Sequence, residues 1–162
     1  MSLVLTRVDN RLIHGQVLEA WVPTLNANCI IVANDKIANT AMQKLLMEAS
    51  VPRGIRVIIG AIDEVAEILE SEELDNARIL LLFATSGDAL TAYRQGVHFE
   101  RLNLGNMHAG VGKVKCSCTI ALDDDDVVNL KQIDAAGIRV FSQCVPSDKA
   151  VEWQKMLRFT KS

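Results

Sequence analysis

Leu3-Val4-Leu5-Thr6, the polar stretch Arg7-Val8-Asp9-Asn10-Arg11-Leu12-Ile13-His14-Gly15-Gln16, a helically spaced segment running to Leu25, and Cys29-Ile30-Ile31-Val32 decide the fold. Apolar strand, polar turn, helix and second apolar strand make a βαβ unit, and such units assemble parallel sheets with helices packed on them. The alternation continues outward. Further strands are expected at Val57–Ile59, Ile79–Phe83, Arg101–Leu104, Val114–Ile120 and Val140–Val145, and helices at Gln16–Leu25, Ile37–Ala49, Glu64–Ser71, Asp88–Gln95, Asp124–Ala135 and Lys149–Phe159. Several strands are apolar throughout, as strands buried on both faces are. Val114–Ile120 instead alternates with Lys115, Ser117 and Thr119, which suits a half-exposed strand near an edge with Cys116 and Cys118 on one face. Asp63 is expected to cap Glu64, Gly137 to end its helix, and Pro146-Ser147-Asp148 to introduce the last one. The expected fold is α/β: a single domain with an open, mostly parallel twisted sheet of about seven strands and helices on both faces.

With 162 residues, 49% hydrophobic and 23% charged, the chain suits one domain spanning 1–162, able to bury its core without disulfides or metal. A net charge of −3 and the lack of a Lys/Arg cluster argue against nucleic acid as a partner. Met1-Ser2-Leu3-Val4 has no secretory pattern, and the longest apolar run, Ile79–Ala84, is far short of the roughly 20 residues that span a bilayer. A cytoplasmic protein without direct membrane insertion is expected. Cys29, Cys116, Cys118 and Cys144 lack metal-ligand spacing and read as reduced core thiols, so neither metal nor cofactor is expected. There is no phosphate-binding P-loop, and Gly105, Gly110 and Gly112 do not form a dinucleotide fingerprint. Asp123 to Asp126 crowd the first turn of a helix, where capping explains them.

In open parallel sheets ligands bind beyond the carboxyl ends of the strands. His14 follows the first strand, and Asn34-Asp35, Thr85-Ser86 and Gly105-Asn106-Met107-His108 should reach the same rim. An imidazole there can act as a nucleophile toward phosphorus, with Arg11 to hold the phosphate it acquires and Arg7 either to share that task or to support the loop. Gly15 leaves room for a phosphoryl group, and the helix starting near Gln16 offers amide donors. Asp9 either accepts a hydrogen bond from an arginine or His14, or simply forms the turn. Leu12, Ile13 and Met107 form either an apolar docking patch or packing beneath the loop.

These residues resemble the signature of the IIB subunit of the mannose/fructose/sorbose (N-acetylgalactosamine) family of the bacterial phosphoenolpyruvate:sugar phosphotransferase system. The resemblance rests on Arg7 to Val17, Val32-Ala33-Asn34-Asp35, Phe83 to Asp88, Asn103 to His108, and Gly137 to Asp148, and so covers nearly the whole chain. It implies that His14 accepts a phosphoryl group, on ring Nδ1, from a phosphohistidine IIA protein supplied as a separate polypeptide. It further implies delivery to a sugar bound by membrane IIC/IID subunits, with the protein peripheral to the inner face of the cell membrane. Arg11 matches the arginine that steadies the phosphoryl group, and Thr85 and His108 match segments bordering the site. Ala109-Gly110-Val111-Gly112 departs from the family pattern, which leaves a direct role for His108 open. Two rival readings are a flavodoxin-like nucleotide- or ligand-binding module and a regulatory relative that signals through phospho-His14.

Overall fold

The computed structural model describes residues 1–157. Its strands are β1 (Ser2–Asp9), β2 (Cys29–Ala33), β3 (Arg56–Gly60), β4 (Arg78–Phe83), β5 (Arg101–Asn106), β6 (Val114–Lys115), β7 (Ala121–Leu122), β8 (Arg139–Ser142) and β9 (Val151–Glu152). The helices are α1 (Val22–Leu25), α2 (Asp35–Ala38), α3 (Ala41–Ala49), α4 (Val65–Leu69), α5 (Ser86–Arg94), α6 (Asp124–Ala135) and α7 (Trp153–Met156). Seven strands form one sheet in the order β3-β2-β4-β1-β5-β8-β9, parallel except for β9, while β6 and β7 pair separately. This is the expected α/β architecture.

Apolar residues dictate the layers. Every residue of β2 is buried, and β4 is fully buried from Ile79 to Phe83. Alternate side chains of these strands feed two cores. Ile30, Val32, Leu80 and Leu82 pack under Val17, Trp21 and Val22, whereas Ile31, Leu81, Phe83 and Leu104 pack under Val65, Leu69, Leu90, Leu130 and Ile133. The chain therefore moves from β1 through β2 to β3 across one face and returns through β4 and β5 to β8 across the other, as crossovers of one hand require. At the adjacent strands β1 and β5 the chain leaves in opposite directions. A crevice opens there.

The departures from expectation have local causes. Val114–Ile120 is not a strand of the main sheet. Ser117 Oγ accepts the amides of Thr119 and Ile120, and the amides of Cys116 and Ser117 both bond Ile120 O, so the chain turns after Lys115. The expected common face for Cys116 and Cys118 is lost with it. Cys118 is exposed, Cys116 and Cys144 are partly so, and Cys29 alone of the four is a core thiol. The edge place goes to β9, which was not foreseen.

Ile37–Ala49 breaks into α2 and α3, because the Asn39 amide and Thr40 hydroxyl donate to Asp35 O and Lys36 O and close the first helix. Gln16–Leu25 opens as one wide π turn, Gln16–Trp21, before α1. The segment expected at Glu64 begins instead with a 3-10 turn at Ile62. Its amide accounting is done by Glu64, which accepts from Ala61 N, and not by Asp63. Thr85 Oγ1 accepts from Asp88 N, so α5 starts earlier than expected. The last helix begins at Trp153 after β9, well beyond Pro146-Ser147-Asp148, and its expected end at Phe159 lies outside the described residues. No helix among the described residues is long and apolar enough to cross a membrane.

Candidate functional site

Asp9 ends β1 and organises everything around it. Its Oδ1 accepts the backbone amide of Arg11 at 3.0 Å, and Leu12 N bonds Asp9 O, which closes a tight turn over residues 9–12. Leu12 completes the turn in the left-handed region (φ 58), unusual for a leucine, and is held there by burial (4% exposed). The turn swings the chain back so that His14 Nε2 lies 2.8 Å from Asp9 Oδ2. The same oxygen accepts Arg7 Nε and Asn106 Nδ2, each at 3.0 Å. Asp9 thus both forms the turn and binds the histidine, one task for each oxygen.

Arg7 and Asp9 are both fully buried. A buried guanidinium needs compensation for lost hydration, and it has a built cradle. Nη1 donates to Asn103 Oδ1 (2.7 Å) and Gln143 O (3.1 Å), Nη2 lies 3.0 Å from Asp9 Oδ2, and the Trp21 ring covers the group at 5.4 Å. Gly105 makes room for it. The β1–β5 register shifts between Val8 and Asp9 so that Gly105 is left unpaired, and a Cβ there would overlap the guanidinium. Burial lowers the Arg7 pKa from its ordinary value, against the opposing pull of Asp9. Burial would raise Asp9 as well. Hydrogen bonds from His14, Asn106 and the Arg11 amide, with the Arg7 charge, outweigh it and hold Asp9 below its ordinary 3.8.

A carboxylate can only accept, so the proton between His14 and Asp9 sits on Nε2 and the neutral ring presents its lone pair at Nδ1. The side chain is 15% exposed, at the crevice between β1 and β5. An oriented imidazole with a carboxylate behind it is a nucleophile or general base.

The whole chain from residue 3 to residue 162 matches the family described as PTS system sorbose subfamily IIB component. The chain belongs to that IIB family. This IIB component is 38% identical over 156 residues to "N-acetylgalactosamine-specific phosphotransferase enzyme IIB component 2" of Escherichia coli K12, covering 96% of this chain and 99% of the relative. The sorbose-specific EIIB component of Klebsiella pneumoniae is 31% identical over 151 residues, covering 93% and 92%. The solved IIBSor domain of the sorbose permease from that organism superposes with a TM-score of 0.92 at 30% identity, covering 99% and 98%. A mannose-specific EIIAB component of E. coli K12 is 27% identical over 157 residues, which are 97% of this chain but 49% of that one. This IIB component is therefore a transferase-class part of a sugar phosphotransfer system.

The remaining sequence candidates of this IIB component are spread unevenly. Gln16 Oε1 accepts Asn106 Nδ2 at 2.8 Å and supports the loop. Gly15 has helical φ and ψ and no neighbour that forbids a side chain. Arg11 is exposed and, with His108, lines a cleft of about 290 Å³. Asn34 accepts from Ile37 N and caps α2, Thr85 caps α5, and Asp35 accepts from Ile62 N and so ties α2 to the turn after β3; all three rim residues serve the backbone. Ser86 is fully buried and donates to Asp126. Leu12, Ile13 and Met107 are all buried, which makes them packing beneath the loop and removes the docking patch.

Asn103, Trp21 and Gln143 were not singled out for the site, and Asn106 was placed at the rim only as part of the segment 105–108. A signal existed for the first, since a buried strand that includes an asparagine must give its amide a partner. The Arg7 cradle is that partner.

Proposed function

We propose that His14 carries the phosphoryl group in this IIB component, acting as one domain over residues 1–162. The observation that carries the reading is the 2.8 Å contact of His14 Nε2 with Asp9 Oδ2, which leaves Nδ1 as the ring nitrogen available for bonding to phosphorus. In the forward step Nδ1 attacks the phosphorus of a phosphohistidine on a IIA protein. The Nδ1–P bond forms, the donor's N–P bond breaks, and the electron pair returns to the donor imidazole. His14 gains positive character as the bond forms, and the Asp9 carboxylate stabilises it, as an acid behind a catalytic histidine does. The second step reverses the polarity. A sugar hydroxyl attacks the same phosphorus and releases its proton to water, the Nδ1–P bond breaks, and His14 leaves with that electron pair as neutral imidazole, its Nε2 proton retained.

Phosphoryl transfer asks mainly for alignment and charge compensation, which fits a site rich in hydrogen bonds. Arg11 supplies an unpaired guanidinium at the loop, and Gly15 supplies clearance. Arg7 is too deeply buried to meet the phosphate and acts through Asp9. The donor would be a IIA protein, a reading supported by the EIIAB relative whose name joins the two functions. The acceptor would be a sugar at membrane IIC/IID subunits, with this chain peripheral on the cytoplasmic face.

Intact mass after incubation with a phosphorylated mannose-type IIA tests the proposal. An acid-labile gain of one phosphate is expected, absent in His14→Ala at unchanged secondary structure. Retention of the phosphate by that variant would move the site elsewhere.

A further inference from the structure

We propose that Lys115, together with Arg11, supplies the positive charge that holds a phosphate dianion in the cleft between the His14 loop and the β6–β7 hairpin. The inference deepens the proposed function and rests on it for the link to His14. The cleft, about 290 Å³, is lined by Arg11, His108, Lys115, Ser117 and Thr119 among others, and no carboxylate lines it. Its link to the site runs through one side chain. Asn106 lines the cleft, and its amide bonds the same Asp9 oxygen that binds His14.

The contrast with Lys113 makes the charge placement informative. Lys113, two residues earlier, is neutralised by Asp126 at 3.1 Å and Asp123 at 3.9 Å. Lys115 has no ion pair among the described residues, although the acidic run that holds Lys113 begins two residues beyond its strand partner Ala121. Arg11 also has none for its side chain. Two cations around one small cleft repel one another unless an anion completes the set. With Arg7 withdrawn into its cradle, the loop needs a second cation for a dianionic group, and Lys115 is the one that the fold offers. Its hairpin is placed by the Met107 and Ala121 backbone bonds that tie residues 107–121 to the end of β5.

The phosphate has two possible sources, the phosphoryl group carried on His14 or a free phosphate, and two measurements separate them. The first titrates inorganic phosphate into the wild type and His14→Ala and follows backbone amide shifts of residues 108–119 at two salt concentrations. The second compares phosphoryl acceptance from phosphorylated IIA in the wild type, Lys115→Gln and Lys115→Arg, with thermal midpoints alongside. If the group on His14 is the occupant, Lys115→Gln lowers the acceptance rate about tenfold and Lys115→Arg restores most of it, with midpoints unchanged. If free phosphate is the occupant, it shifts the hairpin amides in both the wild type and His14→Ala, more strongly at low salt, and Lys115→Gln abolishes the shift. A hairpin silent to phosphate, joined to a Lys115→Gln variant that accepts at the wild-type rate, overturns the proposal. Should the wild type accept no phosphoryl group at all, the proposed function of His14 falls while the phosphate titration alone still decides the cleft.

Discussion

Asp9 shows how much one side chain can carry when it is buried. Its carboxylate compensates Arg7, orients His14 and closes the turn that brings them together. Asp9→Asn should therefore cost about 3 kcal/mol or more, since it strands a buried guanidinium, and urea denaturation measures this. The pH dependence has a definite sign. Asp9 is held below its ordinary 3.8, so its stabilisation is fully present above that pH and is lost as the pH falls through the lower folded value. The wild type should lose stability in that acid window more steeply than Asp9→Asn. Equal slopes would mean that the charge on Asp9 does little for folding. From the sequence, Asp9 had two competing roles and Arg7 two more. Only the three-dimensional cradle, drawn from β5 and from Gln143, shows that Arg7 is spent on Asp9, Asn103 and the Gln143 carbonyl.

At the scale of elements, legibility followed how local the determinants are. Asp124–Ala135 was read with its true bounds, because its cap is written within four residues. Asp123 Oδ1 accepts Asp126 N, and Asp126 Oδ2 accepts Asp123 N. Asp123→Ala should lower stability by about 1 kcal/mol without changing the fold, as thermal denaturation would show. Gly137, at φ 92, ends that helix as expected. Failures occurred where a short polar side chain competes for backbone groups. Asn39 and Thr40 split one expected helix, and Ser117 folds an alternating run into a turn. Alternation of apolar and polar residues is necessary for a half-exposed strand but does not ensure a neighbour to pair with, and Val114–Ile120 pairs with β7 at its first two residues and bridges Met107 at its last.

For the whole molecule, the sheet and its two covering layers were legible because buried parallel strands are apolar without interruption. The strand order was not, since pairing between β1 and β5 joins residues about a hundred positions apart and no local pattern records it. The same topology predicts a gradient of protection. Amides of β4 and β1, at the centre, should exchange with solvent most slowly, while β9 and the β6–β7 hairpin exchange early. Hydrogen exchange with fragment mass analysis reads this directly, and a fast-exchanging β4 would contradict the layering.

The distance along the chain between the two halves of the site has a further consequence for synthesis. His14 leaves the ribosome early, but the Asn106 amide and the Gln143 carbonyl that complete its setting are made much later. A growing chain therefore displays His14 long before its hydrogen-bonded setting exists. If His14 carries the phosphoryl group as proposed, completion of the sheet is a built-in check that only finished molecules can do so.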